Sequence, residues 1–157
     1  MKIGDPLPPL TFHATNGLSK KLNDYQGKWL VLYFYPKDST PGCTLEGRQF
    51  RDHYPEFQRL NTEIFGISRD SRESHERFKC KQQFPFELIS DSDETWCQLF
   101  DVIKTKSFFG KQLVGIQRST FIIDPNSTLR HEWRKVSVLG HVADVLATLE
   151  KLQNPTP

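Results

Sequence analysis

The run Trp29-Leu30-Val31-Leu32-Tyr33-Phe34-Tyr35 is the feature that most limits how this chain can fold. It shows no polar alternation, so a strand built from it buries both faces and needs a sheet covered on two sides. Gly27 and Pro36 bound the run, and Pro36 ends the strand because proline cannot donate to a ladder. The run is too short to cross a bilayer. Beyond it, Thr40-Pro41 reads as a helix start, with Thr40 at the N-cap and Pro41 at the first helical position. Phe50, Tyr54 and Phe57 recur at helical spacing and carry that helix to about Leu60.

Strand and helix patterns alternate through the rest of the chain. Leu10 to His13 alternates as a short strand, and Asn16-Gly17 signals a hairpin turn before Leu18 to Leu22. Ile64 to Ser68 is a strand, and Asp70 with Glu73 forms a capping-box pattern for a helix from Ser71 to about Gln83. Phe86 to Ile89 is a further strand, and Trp96, Leu99 and Phe100 mark a short helix. Val102 to Gln117 reads as a long polar and aromatic loop. Ser119 to Asp124 and Leu129 to Trp133 are strands joined by a turn at Pro125 to Thr128. A last helix carries Val142, Val145, Leu146, Leu149 and Leu152 on one stripe, and Gln153 to Pro157 reads as a frayed end. This order predicts an α/β fold with a mixed central sheet and helices on both faces.

With 157 residues the chain suits one domain, residues 1–157, without a repeat or linker. A net charge of +2 leaves no electrostatic footprint for nucleic acid. The start, Met1 to Pro6, lacks the apolar stretch of a signal peptide, and three cysteines do not make a disulfide framework. The expectation is a soluble cytoplasmic protein in a reducing compartment.

Cys43 is the most informative residue. It falls in the first turn of the helix that follows the apolar strand, where free N–H groups and the helix dipole favour an anion. That place predicts a stabilised thiolate, the reactive form of cysteine. Pro41, Gly42 and Thr44 give it little apolar company, which argues against a packing role.

Pro36-Lys37-Asp38-Ser39-Thr40-Pro41-Gly42-Cys43 has the form Pro-x-x-x-Thr-x-x-Cys and resembles the signature loop of the peroxiredoxins. The longer run from Tyr33 to Glu46 is similar to the bacterioferritin-comigratory (PrxQ) branch. So are Gly66 to Ser71, Gly115 to Asp124 and Val138 to His141, in the same order along nearly the whole chain. The resemblance implies a thioredoxin-like fold and a thiol peroxidase acting on hydrogen peroxide and organic hydroperoxides, with no metal or organic cofactor. By resemblance, Cys43 attacks the peroxide and Thr40 hydrogen-bonds the peroxide or thiolate. Pro36 shields the site from water, and Arg118 adds fixed positive charge and donors. Glu46 stands where the family often has an acidic residue, for which a structural role is expected.

One departure bears on mechanism. Many members of this branch carry a resolving cysteine five residues after the attacking one, and here that position is Arg48. The resolver in this chain is then Cys80, Cys97 or none. Cys80 lies two positions after Phe78, roughly 200° around the helix axis, and so points away from the packed stripe between Lys79 and Lys81. Cys97 sits beside the Trp96/Leu99/Phe100 stripe near several carboxylates, which suits an inert thiol. Some members place the resolver on the helix that would carry Cys80, so Cys80 is the expected partner. A disulfide needs Cα atoms within about 7 Å, so the turn carrying Cys43 is expected to unwind.

The family's usual reductant is thioredoxin, and the branch is often monomeric, with no nucleic-acid or membrane partner. Two alternatives stay open: a one-cysteine peroxidase resolved by an outside thiol, and a non-catalytic thioredoxin-like binding or holdase module. Cys43 to Glu46 lacks the second cysteine of a Cys-x-x-Cys reductase, and Cys43 with Arg48 is one residue short of a phosphatase loop. No Cys/His pair has zinc spacing. The five histidines share no spacing, and His141 is expected to cap or pack.

Overall fold

The computed structural model describes residues 1–155; Thr156 and Pro157, the tip of the expected frayed end, lie outside the described residues. The apolar run forms β3 (Trp29–Phe34), which sits at the centre of a five-stranded sheet. Its neighbours are β4 (Thr62–Ser68), parallel to it, and β8 (Ser119–Ile123), antiparallel to it. The edges are β5 (Glu87–Ser90), parallel to β4, and β9 (Leu129–Arg134), antiparallel to β8. The parallel pairs need helical crossovers, supplied by α1 (Pro41–Arg59) and α2 (Arg72–Gln82). Two further α-helices are the short α3 (Thr95–Leu99) and the longer α4 (His141–Gln153).

The alternation of β3 divides the core in two. Leu30, Leu32 and Phe34 point to one face, where Phe65, Ile67, Phe121, Trp96 and Phe100 join them. Val31, Tyr33 and Tyr35 point to the other, against Phe50 and Phe57 of α1, Phe78 of α2 and Val142, Val145 and Leu149 of α4. Tyr33 stacks on Phe50 with ring centroids 4.5 Å apart, an aromatic contact that adds to simple burial. The expected two-sided cover is present, with α1, α2 and α4 on one face. On the other lie α3 and the N-terminal hairpin of β1 (Thr11–His13) and β2 (Ser19–Lys21). Asn16 and Gly17 both take left-handed backbone in its turn, as the Asn-Gly pair predicts.

Two expectations are corrected. Val102 to Gln117 is a hairpin rather than a loop, formed by β6 (Ile103–Phe108) and β7 (Lys111–Ile116). Its turn places Phe109 and Gly110 at φ 48° and 74°. The strands are mostly exposed on both faces, so the apolar alternation that reveals a half-buried strand is absent. The cap of α2 is Ser71 rather than Asp70: the Ser71 hydroxyl accepts from Ser74 N at 3.1 Å. Asp70 turns inward instead and accepts from Ser68 and from the backbone of Asp38.

Gly47 shows how closely α1 lies on the segment after α2. A Cβ at this position would stand 2.4 Å from Phe84 Cζ. Alanine normally gains about 0.5–1 kcal/mol over glycine inside a helix, whereas overpacking costs about 1–3 kcal/mol. Gly47→Ala is therefore expected to destabilise the protein by about 1 kcal/mol. Adding Phe84→Leu should recover most of that loss, both read from urea unfolding midpoints.

Candidate active site

The C-terminal end of β3 hands the chain to a turn, Pro36 to Ser39, exposed except at Asp38, and then to α1. Thr40 is the N-cap residue by backbone position, but its side chain does not cap. The Thr40 hydroxyl donates instead to the carbonyl of Lys37 at 2.8 Å. Among the described residues no side chain accepts from the N–H groups of Gly42 and Cys43, so the first turn of α1 keeps donors free for an incoming anion.

Cys43 is 1% exposed and belongs to the apolar cluster with Tyr33, Tyr35 and Phe50. The expectation of little apolar company is thus corrected: its sequence neighbours are polar or small, while its spatial neighbours come from β3 and the next turns of α1. Arg118 lies 75 residues further on and meets it through topology. Because β8 runs antiparallel to β3 and pairs Ser119 with Phe34, the residue before β8 falls beside the end of β3 and the start of α1. Arg118 Nη2 donates to Cys43 Sγ at 3.4 Å, and Nη1 donates to Glu46 Oε1 at 2.7 Å. Gly42 gives the guanidinium room, since a Cβ there would stand 3.2 Å from Nη2.

The ionic balance follows from burial. Desolvation works against the charge of Arg118, but Glu46 and Cys43 beside it outweigh that and hold its pKa above the ordinary value. Glu46 is fully buried, and burial pushes its carboxyl up to about 7 although Arg118 pulls the other way. Among the described residues its Oε2 has no hydrogen-bond partner. Burial also holds the Tyr33 phenol well above its usual range, with Glu46 and Cys43 adding to the effect. His141 opens α4 and shares a hydrogen bond of 2.8 Å between Nε2 and Thr120 Oγ1. Burial lowers its pKa to about 4 against the pull of Asp144, and Arg118 contributes to the lowering. Of the cap or packing role that the sequence suggested, packing is what the structure shows, with Gly140 at the N-cap.

The structure brings Cys43, Arg118 and Glu46 together and leaves Thr40, Pro36 and Cys80 out of that hydrogen-bonded group, the Thr40 hydroxyl being turned to Lys37. Pro36 ends β3 and is exposed. Cys80 is exposed in the last turn of α2, as its helical angle predicted, and all three cysteines are free. Cys97 is buried; burial and hydrogen bonding with Asp91 push its thiol far up. Sequence reasoning missed Asp38 and His75. Asp38, Asp70 and His75 bring potential ligand atoms within 4.8 Å of one another. Those atoms are already engaged in hydrogen bonds with one another and with Tyr35, Ser74, Ser68 and the Ile89 carbonyl.

The family model described as "AhpC/TSA family" matches residues 3–132. A Peroxiredoxin Bcp of Xanthomonas campestris is 50% identical over 148 residues, covering 92% of each chain. Peroxiredoxin Bcp of Bacillus subtilis is 48% identical over 152 residues, covering 97% of each. Among solved structures, a PrxQ cysteine variant from Xylella fastidiosa superposes with a TM-score of 0.94 at 44% identity, covering 98% of each chain. The bacterioferritin comigratory protein of Xanthomonas campestris, studied for alkyl peroxide reduction, gives 0.88 at 49% identity and 91% of each.

Opposed pH dependences follow from Glu46 and His141. Unfolded Glu46 releases its proton near 4.5, and the folded protein keeps it to about 7. The folded state then binds more protons across that window, so this group's contribution to stability falls as pH rises. His141 does the reverse between about 4 and 6.5, where the unfolded chain binds more protons and stability rises with pH. In urea titrations, the stability of wild type relative to Glu46→Gln should decline from pH 4.5 to 7. Relative to His141→Gln it should increase from pH 4 to 6.5.

Proposed function

The chain belongs to the AhpC/TSA family, in the bacterioferritin-comigratory (PrxQ) branch of the peroxiredoxins, and we propose that its thiol peroxidase activity begins at Cys43 and is completed by Cys80. The observation that carries this reading is the fork of Arg118, with one nitrogen on Cys43 Sγ and the other on Glu46. A fixed cation at the sulfur favours the anionic nucleophile and the charge that builds on the oxygens in the transition state.

The thiolate sulfur of Cys43 attacks one peroxide oxygen in line with the O–O bond. That bond breaks, Cys43 becomes a sulfenic acid, and the leaving oxygen departs as water or an alcohol after taking a proton. Arg118 and the free N–H groups of Gly42 and Cys43 supply donors on the oxygen side. Thr40 contributes by orienting the turn through its bond to Lys37 and by presenting its hydroxyl oxygen to the peroxide proton. Pro36 borders the turn and limits water there. The Cys80 thiol then displaces the sulfenic hydroxyl as water and forms a Cys43–Cys80 disulfide. A dithiol reductant of the thioredoxin type restores both thiols by exchange.

Burial of Cys43 and exposure of Cys80 mean the two sulfurs meet only after α1 opens at its first turn. Pro41 and Gly42 favour that opening, one lacking an N–H and the other free in backbone. Organic hydroperoxides are proposed beside hydrogen peroxide, in keeping with the alkyl peroxide chemistry studied in the Xanthomonas relative. The cycle is assigned to one domain acting as a monomer in the cytoplasm. Among the described residues no helix is long and apolar enough to cross a membrane.

Reduced protein treated with one equivalent of hydrogen peroxide should lose two hydrogens and yield a crosslinked Cys43–Cys80 peptide by mass mapping. Oxygen gained at Cys43 alone would instead assign resolution to an outside thiol, and no rapid change at Cys43 would sink the reading. Arg118→Met should slow Cys43 oxidation by about 10²-fold, in line with the loss of one preorganised donor.

A further inference from the structure

The turn that leads into Cys43 has a single buried residue. Pro36, Lys37 and Ser39 are exposed, whereas the Asp38 side chain is 2% exposed. Asp38 Oδ1 accepts from the Tyr35 hydroxyl at 2.6 Å. Its Oδ2 accepts from Ser74 Oγ at 2.8 Å and from His75 Nδ1 at 2.7 Å, both in the first turn of α2. Its backbone N–H donates to Asp70 Oδ2 at 2.9 Å. His75 is fully buried, and its Nε2 faces the Ile89 carbonyl at 3.0 Å. Both ring nitrogens of His75 thus face oxygen atoms, one of Asp38 and one of the backbone. Asp38 and His75 form a buried hydrogen-bonded pair whose other polar positions are filled by Tyr35 and Ser74.

The same helix grips the chain on the far side of Cys43. Arg48 Nε donates to Gln82 Oε1 and Arg51 Nη1 to the Gln82 carbonyl, each at 2.8 Å. Gly47 lies against Phe84, just beyond the end of α2. Between these two holds, Pro41 and Leu45 are exposed, and Gly42 and Thr44 are half-buried. The Thr40 side chain donates within the turn, to Lys37, and Ser39 sits at φ 64°. Arg118 reaches Cys43 and Glu46 from the far side, and among the described residues Asp38 supplies the side-chain bonds that fasten residues 36–40 of this stretch to α2.

We propose that Asp38 and His75 are positioning residues for peroxide reduction, pinning the Thr40–Cys43 turn to α2 so that the donors around Sγ are held in register with the peroxide. The inference rests on Cys43 as the attacking thiol and does not require Cys80 to be the resolver. Reactions of this kind lose rate steeply when donors shift by about 1 Å. Loosening the pin misplaces Thr40 and the first-turn N–H groups while uncovering the sulfur. Two reagents at one thiol then move in opposite directions while circular dichroism and the urea midpoint show the protein still folded.

The test compares variants in a Cys80→Ser/Cys97→Ser background, where the sulfenic acid at Cys43 has no thiol of its own chain to meet and can be trapped and counted. Asp38→Asn keeps the shape and removes the charge. It should lower the second-order rate of Cys43 oxidation by hydrogen peroxide at least tenfold and raise alkylation of Cys43 by iodoacetamide several-fold. Ser74→Ala and Tyr35→Phe each remove one bond to Asp38 and should show the same opposed changes at two- to fivefold. Wild-type rates in folded Asp38→Asn, or two rates that fall together, would overturn the proposal. If Asp38→Asn does not fold by circular dichroism, the two milder variants decide, and parallel or absent changes in both overturn it. A parent whose Cys43 peroxide leaves untouched would count against the attacking role of Cys43 and, with it, the pin.

Discussion

Antiparallel pairing of β8 with β3 is the constraint on which the site depends. It sets Ser119 opposite Phe34, so Arg118 must emerge where β3 ends and α1 begins. A parallel β8 would have delivered its first residues to the opposite end of the sheet. From this position one guanidinium serves two neighbours on successive turns of α1, Cys43 and Glu46. The planar fork of arginine allows this; a lysine ammonium has no second nitrogen at a fixed angle.

The surroundings of that fork are apolar, and burial therefore governs the charges. Cys43 and Glu46 sit under Tyr33, Tyr35 and Phe50 with almost no solvent contact. Low local polarity strengthens the contacts of Arg118, but it also raises the cost of keeping Glu46 ionised. In the proposed cycle the closed folded site surrounds the sulfur with donors, and the opened turn lets it travel to another thiol. The α2 contacts at Asp38 and Gln82 bracket the segment that this opening would move.

Much of the architecture was readable from local pattern. The Trp29 to Tyr35 run, the Thr40-Pro41 helix start and the Asn16-Gly17 turn each have a short-range physical cause, and each appears as expected. The β6–β7 hairpin escaped notice because its strands face solvent and lack apolar alternation, and because Phe109 occupies a backbone region usually left to Gly or Asn. The α2 cap was displaced by one residue because Asp70 is drawn inward by Ser68 and Asp38, a tertiary contact with no local signal. Cys43 and Thr40 stood out as residues of one loop. Arg118 was singled out only through likeness to a family, since its partner lies 75 positions away.

By itself the sequence determined a buried central strand, a helix starting at Pro41 with Cys43 in its first turn, and an outward-facing Cys80. These are consequences of period, proline and glycine chemistry within a few residues. Tertiary structure alone decided that Cys43 is enclosed by aromatic rings, that Arg118 bridges it to Glu46, and that Asp38 and His75 fasten the turn to α2. Those contacts join residues separated by tens of positions. Strand order and direction bring them together, and no local spacing encodes either.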